Sequence, residues 1–133
     1  MIAAFAAEKG RSFWEWWDRI EAQYADDPRA MLDALLSEIA RRIGNTGYRG
    51  CVFLNLATEF PDEKHPGRVA ARSNKEELQA RLAVIVAKLG ARDPARVASQ
   101  IAMLINGALA TGLVMQPADL RGDLVDAATK LLA

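Results

Sequence analysis

The chain has 133 residues, of which 51% are hydrophobic and 26% are charged, and this is the composition of one folded domain rather than a disordered segment. Its 17 basic and 17 acidic residues cancel, so the chain lacks the excess positive charge with which proteins hold nucleic-acid phosphates. A single cysteine, Cys51, and a single histidine, His65, exclude an internal disulfide and a histidine-rich zinc site, and predict a reducing, cytoplasmic setting.

The first third of the chain predicts three helices separated by turn signals. A short helix over residues 2–9 is expected to end at Gly10. The next helix is predicted to begin at Ser12, because Glu15 follows three residues later and completes a capping-box pattern. A third helix is predicted to start at Asp27-Pro28, where an acidic cap precedes a proline at the first helical position.

The predicted second helix is rich in aromatic residues. Trp17 and Tyr24 share a face with Ile20 at helical spacing, which is typical of a helix side packed in a core. Trp14 and Trp16 lie off that face, and we expect these two rings to contact a ligand or a partner surface.

The segment 51–60 combines an apolar run with polar residues at helical spacing. Because no partner strand is evident elsewhere in the sequence, we predict a helix. Its polar side carries Cys51, Asn55, Thr58 and Glu59, and this side faces either a small-molecule pocket or solvent. His65 follows in a Pro/His turn. The full set of candidate ligand-binding residues is Trp14, Trp16, Cys51, Asn55, Thr58, Glu59 and His65.

The rest of the chain is predicted to form three helices. One ends at Lys88, one begins at Asp93-Pro94, and one runs from Pro117 to the end. Residues 97–116 contain no charge, but polar residues and several glycines and alanines interrupt the stretch, so we do not predict a membrane span. A helix that is apolar nearly all round must be covered on all sides. Either it is central in a monomer, or a second copy covers it. We predict a homodimer formed by this helix and the last one, through Ile101, Ile105, Ala108, Leu109, Gly112, Leu113, Leu120, Leu124 and Leu131.

The sequence from Gly50 to Leu82 resembles the C-terminal domain of TetR-type transcriptional regulators. The similarity lies in a glycine-cysteine pair, an apolar run with Asn55, Glu-Phe-Pro, an acidic turn with His-Pro, and a long Lys/Arg-containing helix. The later Asp-Pro helix start, the INGAL segment at 105–109 and the alanine-rich end also fit, so that the resemblance extends over roughly residues 5–132.

The resemblance implies an all-α effector-binding domain without cofactor or metal. It also implies that helices 94–115 and 118–132 form the dimer interface, and that a small apolar or aromatic effector binds among the preceding helices. The family's N-terminal helix-turn-helix is absent from this sequence, and residues 1–10 resemble the remnant of a linker helix. We therefore treat 1–133 as one domain and expect it not to bind operator DNA by itself, which a mobility-shift assay at low salt checks.

Two other classes of protein remain open from the sequence. The chain could be a dimerisation module without ligand that associates with a full-length relative. It could also be a small helical enzyme, in which Glu59 would be the only reasonable general base. No phosphate-binding loop, dinucleotide fingerprint or nucleophile elbow supports the enzyme.

Overall fold

The computed structural model describes residues 1–133 as an assembly of six α-helices without a β-strand, and the predicted all-α class is confirmed. The helices are α1 (Ile2–Gln23), α2 (Pro28–Ile43), α3 (Val52–Glu59), α4 (Pro66–Lys88), α5 (Pro94–Val114) and α6 (Leu120–Leu132). The long helix α4 packs against α1, α2, α3 and α5, and α6 closes the other side by packing on α2 and α5.

Helix α1 continues without interruption through Gly10, where a first helix over residues 2–9 was predicted to end. The prediction of a separate helix at 2–9 and of a capping box at Ser12 is therefore wrong. Gly10 keeps helical geometry because good helix-forming residues flank it. A Cβ atom at Gly10 would lie 3.6 Å from Cζ of Phe53, which is an ordinary contact distance. The glycine therefore lies where α1 meets α3.

Three aspartates cap helix N-termini with the same kind of hydrogen bond. The side chains of Asp27, Asp93 and Asp119 accept hydrogen bonds from the backbone N–H three residues ahead, at 3.0, 3.3 and 2.9 Å. The first two were predicted from their Asp-Pro pairs. The prediction that Pro117 opens the last helix is wrong, because Asp119 caps α6 instead.

The main core lies between α1, α2, α4, α5 and α6. Trp17, Leu35, Leu82 and Ile101 are completely buried within it. The core position predicted for Trp17 is therefore confirmed, and Tyr24 packs against the same core while partly exposed. A smaller cluster around Phe53 joins α3 to α1 and α4.

Helix α5 has two contrasting sides. Its mean hydropathy of 1.6 would suit a membrane span by length and composition, yet only 33% of that apolar window is buried inside the protein. The outer side carries Met103, Gly107, Ala110 and Val114 at steps of four, three and four residues. All four are exposed, Met103 to 67% and Val114 to 84%. We call these four residues the α5 stripe.

The inner side of α5 holds four of the nine residues predicted to form the dimer interface. Ile101, Ile105, Ala108 and Gly112, together with Leu124 of α6, are buried in the chain's own core, so the prediction of an interface is wrong for these five. The sequence spacing identified an apolar side correctly, but the chain's own helices cover it. Leu109, Leu120 and Leu131 are partly buried, and Leu113 is exposed.

Candidate ligand cavity

A cavity of about 600 Å³ lies between α1, α2, α4, α5 and the segment 44–53. Its volume is in the range of pockets that hold small organic molecules. Apolar side chains from every wall line it: Phe13, Trp16, Ile39, Tyr48, Val52, Phe53, Leu78, Ile105 and Leu109. The three other sizeable depressions on the surface are more open.

Two buried hydrogen-bond donors line this cavity and have no partner. Trp16 is 3% exposed and Asn74 is 8% exposed, yet neither the indole Nε1 of Trp16 nor the amide Nδ2 of Asn74 makes a hydrogen bond. A buried polar group without a partner costs about 1–3 kcal/mol of stability. Both residues line the same cavity, and the two nitrogen atoms themselves have almost no accessible surface in the free protein.

The charged residues that line the cavity are all basic. They are Lys9, Arg42, Arg49 and Lys75, and no aspartate or glutamate joins them. Arg42 forms an ion pair with Glu38, in which Nε of Arg42 lies 3.3 Å from Oε1 of Glu38. The other three form no ion pair. Because the whole chain carries equal numbers of acidic and basic residues, this lining is a local concentration of positive charge.

Lys75 is the partly buried member of this basic group. Its Nζ lies 3.5 Å from Sγ of Cys51, and this is the hydrogen bond that the ammonium makes within the chain. A cysteine sulfur is a weak acceptor. The ammonium of Lys75 therefore has unused capacity to donate.

The segment that connects α2 to α3 forms one wall and is tied to α5. The hydroxyl of Tyr48 donates a hydrogen bond to the backbone carbonyl of Leu109. Burial, with a smaller contribution from the nearby Cys51, raises the pKa of Tyr48 to about 12, so its hydroxyl keeps the proton that it donates. Gly50 has a φ of 88°, a conformation that favours glycine, and a Cβ there would lie 3.3 Å from Cδ2 of Leu113.

Of the residues predicted to bind a ligand, two line the cavity and one lies beside it. Trp16 and Cys51 are in the wall. Trp16 lies off the Trp17 side as expected, and it is nevertheless buried in the core. Because α1 packs against α2, α3 and α4, it buries more than one side. Trp14 lines a neighbouring groove, where the guanidinium of Arg81 lies 4.3 Å from the ring centroid.

The other four predicted residues do not line the cavity. Asn55, Thr58 and Glu59 are exposed on the outer side of α3, whereas Cys51, on the polar side predicted with them, lines the cavity. Asn55 donates to the carbonyl of Arg49 at 3.2 Å, and Thr58 donates to its own helix. His65 caps α4 by accepting from the N–H of Gly67 at 3.0 Å, and its ring stacks on Phe60. These hydrogen bonds and the stacking contact of His65 stabilise the fold.

Sequence reasoning missed Asn74 and Lys75, although a signal was present. The buried stripe of α4 contains Leu78, Leu82 and Ile85, and Asn74 lies one turn before Leu78 on the same side. An amide at a core position of an amphipathic helix calls for a buried partner. Extending the stripe by one turn would have identified it.

Comparisons with known proteins identify the fold. No protein-family model matches the chain, and no curated protein sequence matches it. A solved structure of a TetR-family transcriptional regulator from Streptomyces coelicolor superposes with a TM-score of 0.91 at 23% identity, over 98% of this chain and 69% of that chain. A putative TetR transcriptional regulator from Streptomyces avermitilis superposes with a TM-score of 0.72 at 25% identity, over 96% of this chain and 72% of that chain.

The chain therefore has an all-helical fold in which a cavity lies among packed helices. Its structural neighbours are TetR-family transcriptional regulators, and the predicted resemblance to this family is confirmed at the level of the fold.

Proposed function

We propose that this chain is the ligand-sensing and dimerising part of a TetR-type cytoplasmic repressor. The observation that carries the proposal is the cavity of about 600 Å³ lined by α1, α2, α4, α5 and the segment 44–53 within a TetR-like fold. In such a regulator a small molecule binds one site and changes the affinity of another site for DNA. In this proposal the operator is bound by a part of the regulator outside these 133 residues.

The contacts around the cavity supply a route from ligand to α5. Tyr48 and Leu109 both line the cavity, and a hydrogen bond joins the hydroxyl of one to the carbonyl of the other. Ile105 lines the cavity from the same helix. A ligand that displaces any of these groups therefore acts directly on α5.

The α5 stripe supports dimerisation. Met103 and Val114 are among the most exposed large apolar residues of the chain, and Gly107 and Ala110 between them are small enough to let a second helix approach closely. A second copy of the chain, which would contribute the same stripe, is the occupant we propose. This proposal moves the interface from the inner to the outer side of α5, and of the two helices that were predicted to form it, α5 and α6, it retains α5.

The enzymatic alternative has no support at its proposed base. Glu59 is exposed at the end of α3, outside the cavity. A general base must lie within reach of a bound substrate. The chain also contains no group of three or more His, Cys, Asp or Glu side chains arranged to hold a metal ion.

A tryptophan that blocks the cavity should abolish ligand binding. Ser12 is an exposed residue of α1 at the cavity, and Ala4 is an exposed residue of the same helix outside it. The probes are two dyes that fluoresce in apolar surroundings, 8-anilinonaphthalene-1-sulfonate and its neutral parent N-phenyl-1-naphthylamine. We expect saturable binding of dye at one site per chain, weakened about tenfold or more in Ser12→Trp, because the indole occupies the volume that the dye needs.

The Ala4→Trp variant is the control, since it adds the same side chain without filling the cavity. Near-UV circular dichroism checks that each variant remains packed, because these dyes also bind loosened proteins. Equal dye binding by both variants, or no binding of either dye to the unmodified chain, would contradict the proposed function.

A further inference from the structure

We infer that the ligand of this cavity is an organic anion: an apolar or aromatic body with one carboxylate or comparable acidic group. The inference rests on the proposed function and adds the chemical class of the effector. In this arrangement the acidic group accepts a hydrogen bond from Nζ of Lys75, and Trp16 and Asn74 turn their unpartnered nitrogen atoms toward it.

The charge of the lining favours an anion. Lys75 is partly buried and brings a positive charge to the cavity without a carboxylate to pair it, and the exposed Lys9 and Arg49 add to the basic lining, in a chain whose net charge is zero. Where such a group is partly removed from water, a neighbouring opposite charge is favoured. A cationic ligand would meet only repulsion here, since no acidic side chain lines the cavity.

The unpartnered groups favour an acceptor. Trp16 offers an indole N–H, which can only donate, and the unpaired atom of Asn74 is its amide nitrogen. A ligand group that donates could not satisfy either of them. A carboxylate has two oxygens and about four acceptor positions, enough for both neutral donors and for the ammonium of Lys75.

The remaining lining requires an apolar body. Phe13, Ile39, Leu78 and Leu109 contribute carbon surface from four different helices. A small inorganic anion such as phosphate would leave most of this surface uncovered. An apolar lining combined with a few hydrogen-bond donors orients an amphipathic ligand in a pocket.

The two dyes test the inference because they differ only in the sulfonate. We expect the anionic dye, 8-anilinonaphthalene-1-sulfonate, to bind at least about tenfold more tightly than its neutral parent, since hydrogen bonds to a charged group are about twice as strong as neutral ones. Lys75→Met should remove most of this advantage and leave the affinity of the neutral dye unchanged. Lys88→Met is the matched control, because Lys88 is an exposed lysine of the same helix outside the cavity.

The outcomes separate this inference from the proposed function. If both dyes bind the unmodified chain equally, or if Lys75→Met and Lys88→Met lose the same affinity for the anionic dye, the anion inference is overturned and the cavity remains a ligand site. If neither dye binds, the proposed function itself fails. An advantage of the anionic dye that is lost only in Lys75→Met supports the inference.

Asn74→Leu provides a second variant with two opposite effects. The substitution removes a buried amide without a partner, so the thermal midpoint of the free protein should rise by about 4 °C. The same change removes a donor, so the affinity for the anionic dye should fall about fivefold, whereas the affinity for the neutral dye should not change. An unchanged affinity for the anionic dye would remove Asn74 from the proposed site.

Discussion

The Gly112→Ala variant is expected to lose about 3 kcal/mol of unfolding free energy, the upper end of the range for overpacked cores. A Cβ atom at Gly112 would lie 2.0 Å from Cγ2 of Ile43, far inside van der Waals contact. Ile43 is 1% exposed and its branched side chain is fixed next to the backbone of α2, so α2 and α5 must move apart. The midpoint of thermal unfolding should fall by roughly 10 °C.

The control for this variant is another helical glycine. At Gly10 a Cβ would meet only Cζ of Phe53, at 3.6 Å, so Gly10→Ala should raise the unfolding free energy by up to about 1 kcal/mol through helix propensity. Chemical denaturation of both variants measures the contrast. A loss of less than about 0.5 kcal/mol in Gly112→Ala would contradict the close approach of α2 and α5.

A charge in the α5 stripe is expected to convert the proposed dimer to a monomer. Ala110 lies in the middle of the stripe, and in the proposed dimer Ala110→Glu would bury a carboxylate without a partner. We expect the dimer dissociation constant to rise at least about 100-fold. Sedimentation or light scattering should then report about 14.5 kDa for the variant and about twice that mass for the unmodified chain.

Val84→Glu is the matched control for the oligomeric state. Val84 is an exposed valine on α4 rather than α5, so this variant introduces the same charge at an apolar surface position and should stay dimeric. A monomeric unmodified chain, or a variant Ala110→Glu with unchanged dimer mass and retained helicity, would contradict the proposed interface.

Local chemistry explains which parts of the fold could be predicted from the sequence. Asp27 and Asp93 could be recognised because an acidic cap and a following proline act within one helical turn. The residues 66–88 formed a helix as expected, since Leu78 and Leu82 recur at the spacing of a buried side. Both signals depend only on neighbours along the chain.

The candidate site depended on packing, which the sequence pattern does not contain. Trp16 lies beside Trp17 in the sequence, and only the placement of α1 among three other helices buries both rings. The apolar residues of α5 predicted that the helix is covered, but not which side the chain covers itself. Asn55 and Glu59 have the polar character of a pocket wall, and nothing in their spacing distinguishes a wall from a solvated surface.

A ligand in the cavity beside Trp16 can be detected directly through the indole N–H of Trp16. Spectra of the ¹⁵N-tryptophan-labelled chain should show three indole resonances, and the one absent from Trp16→Phe belongs to Trp16. On saturation with 8-anilinonaphthalene-1-sulfonate, we expect this resonance to move the furthest, since Trp16 Nε1 gains the acceptor it lacks in the free chain. Saturable dye binding that leaves the Trp16 resonance unmoved would rule out this cavity as the ligand site.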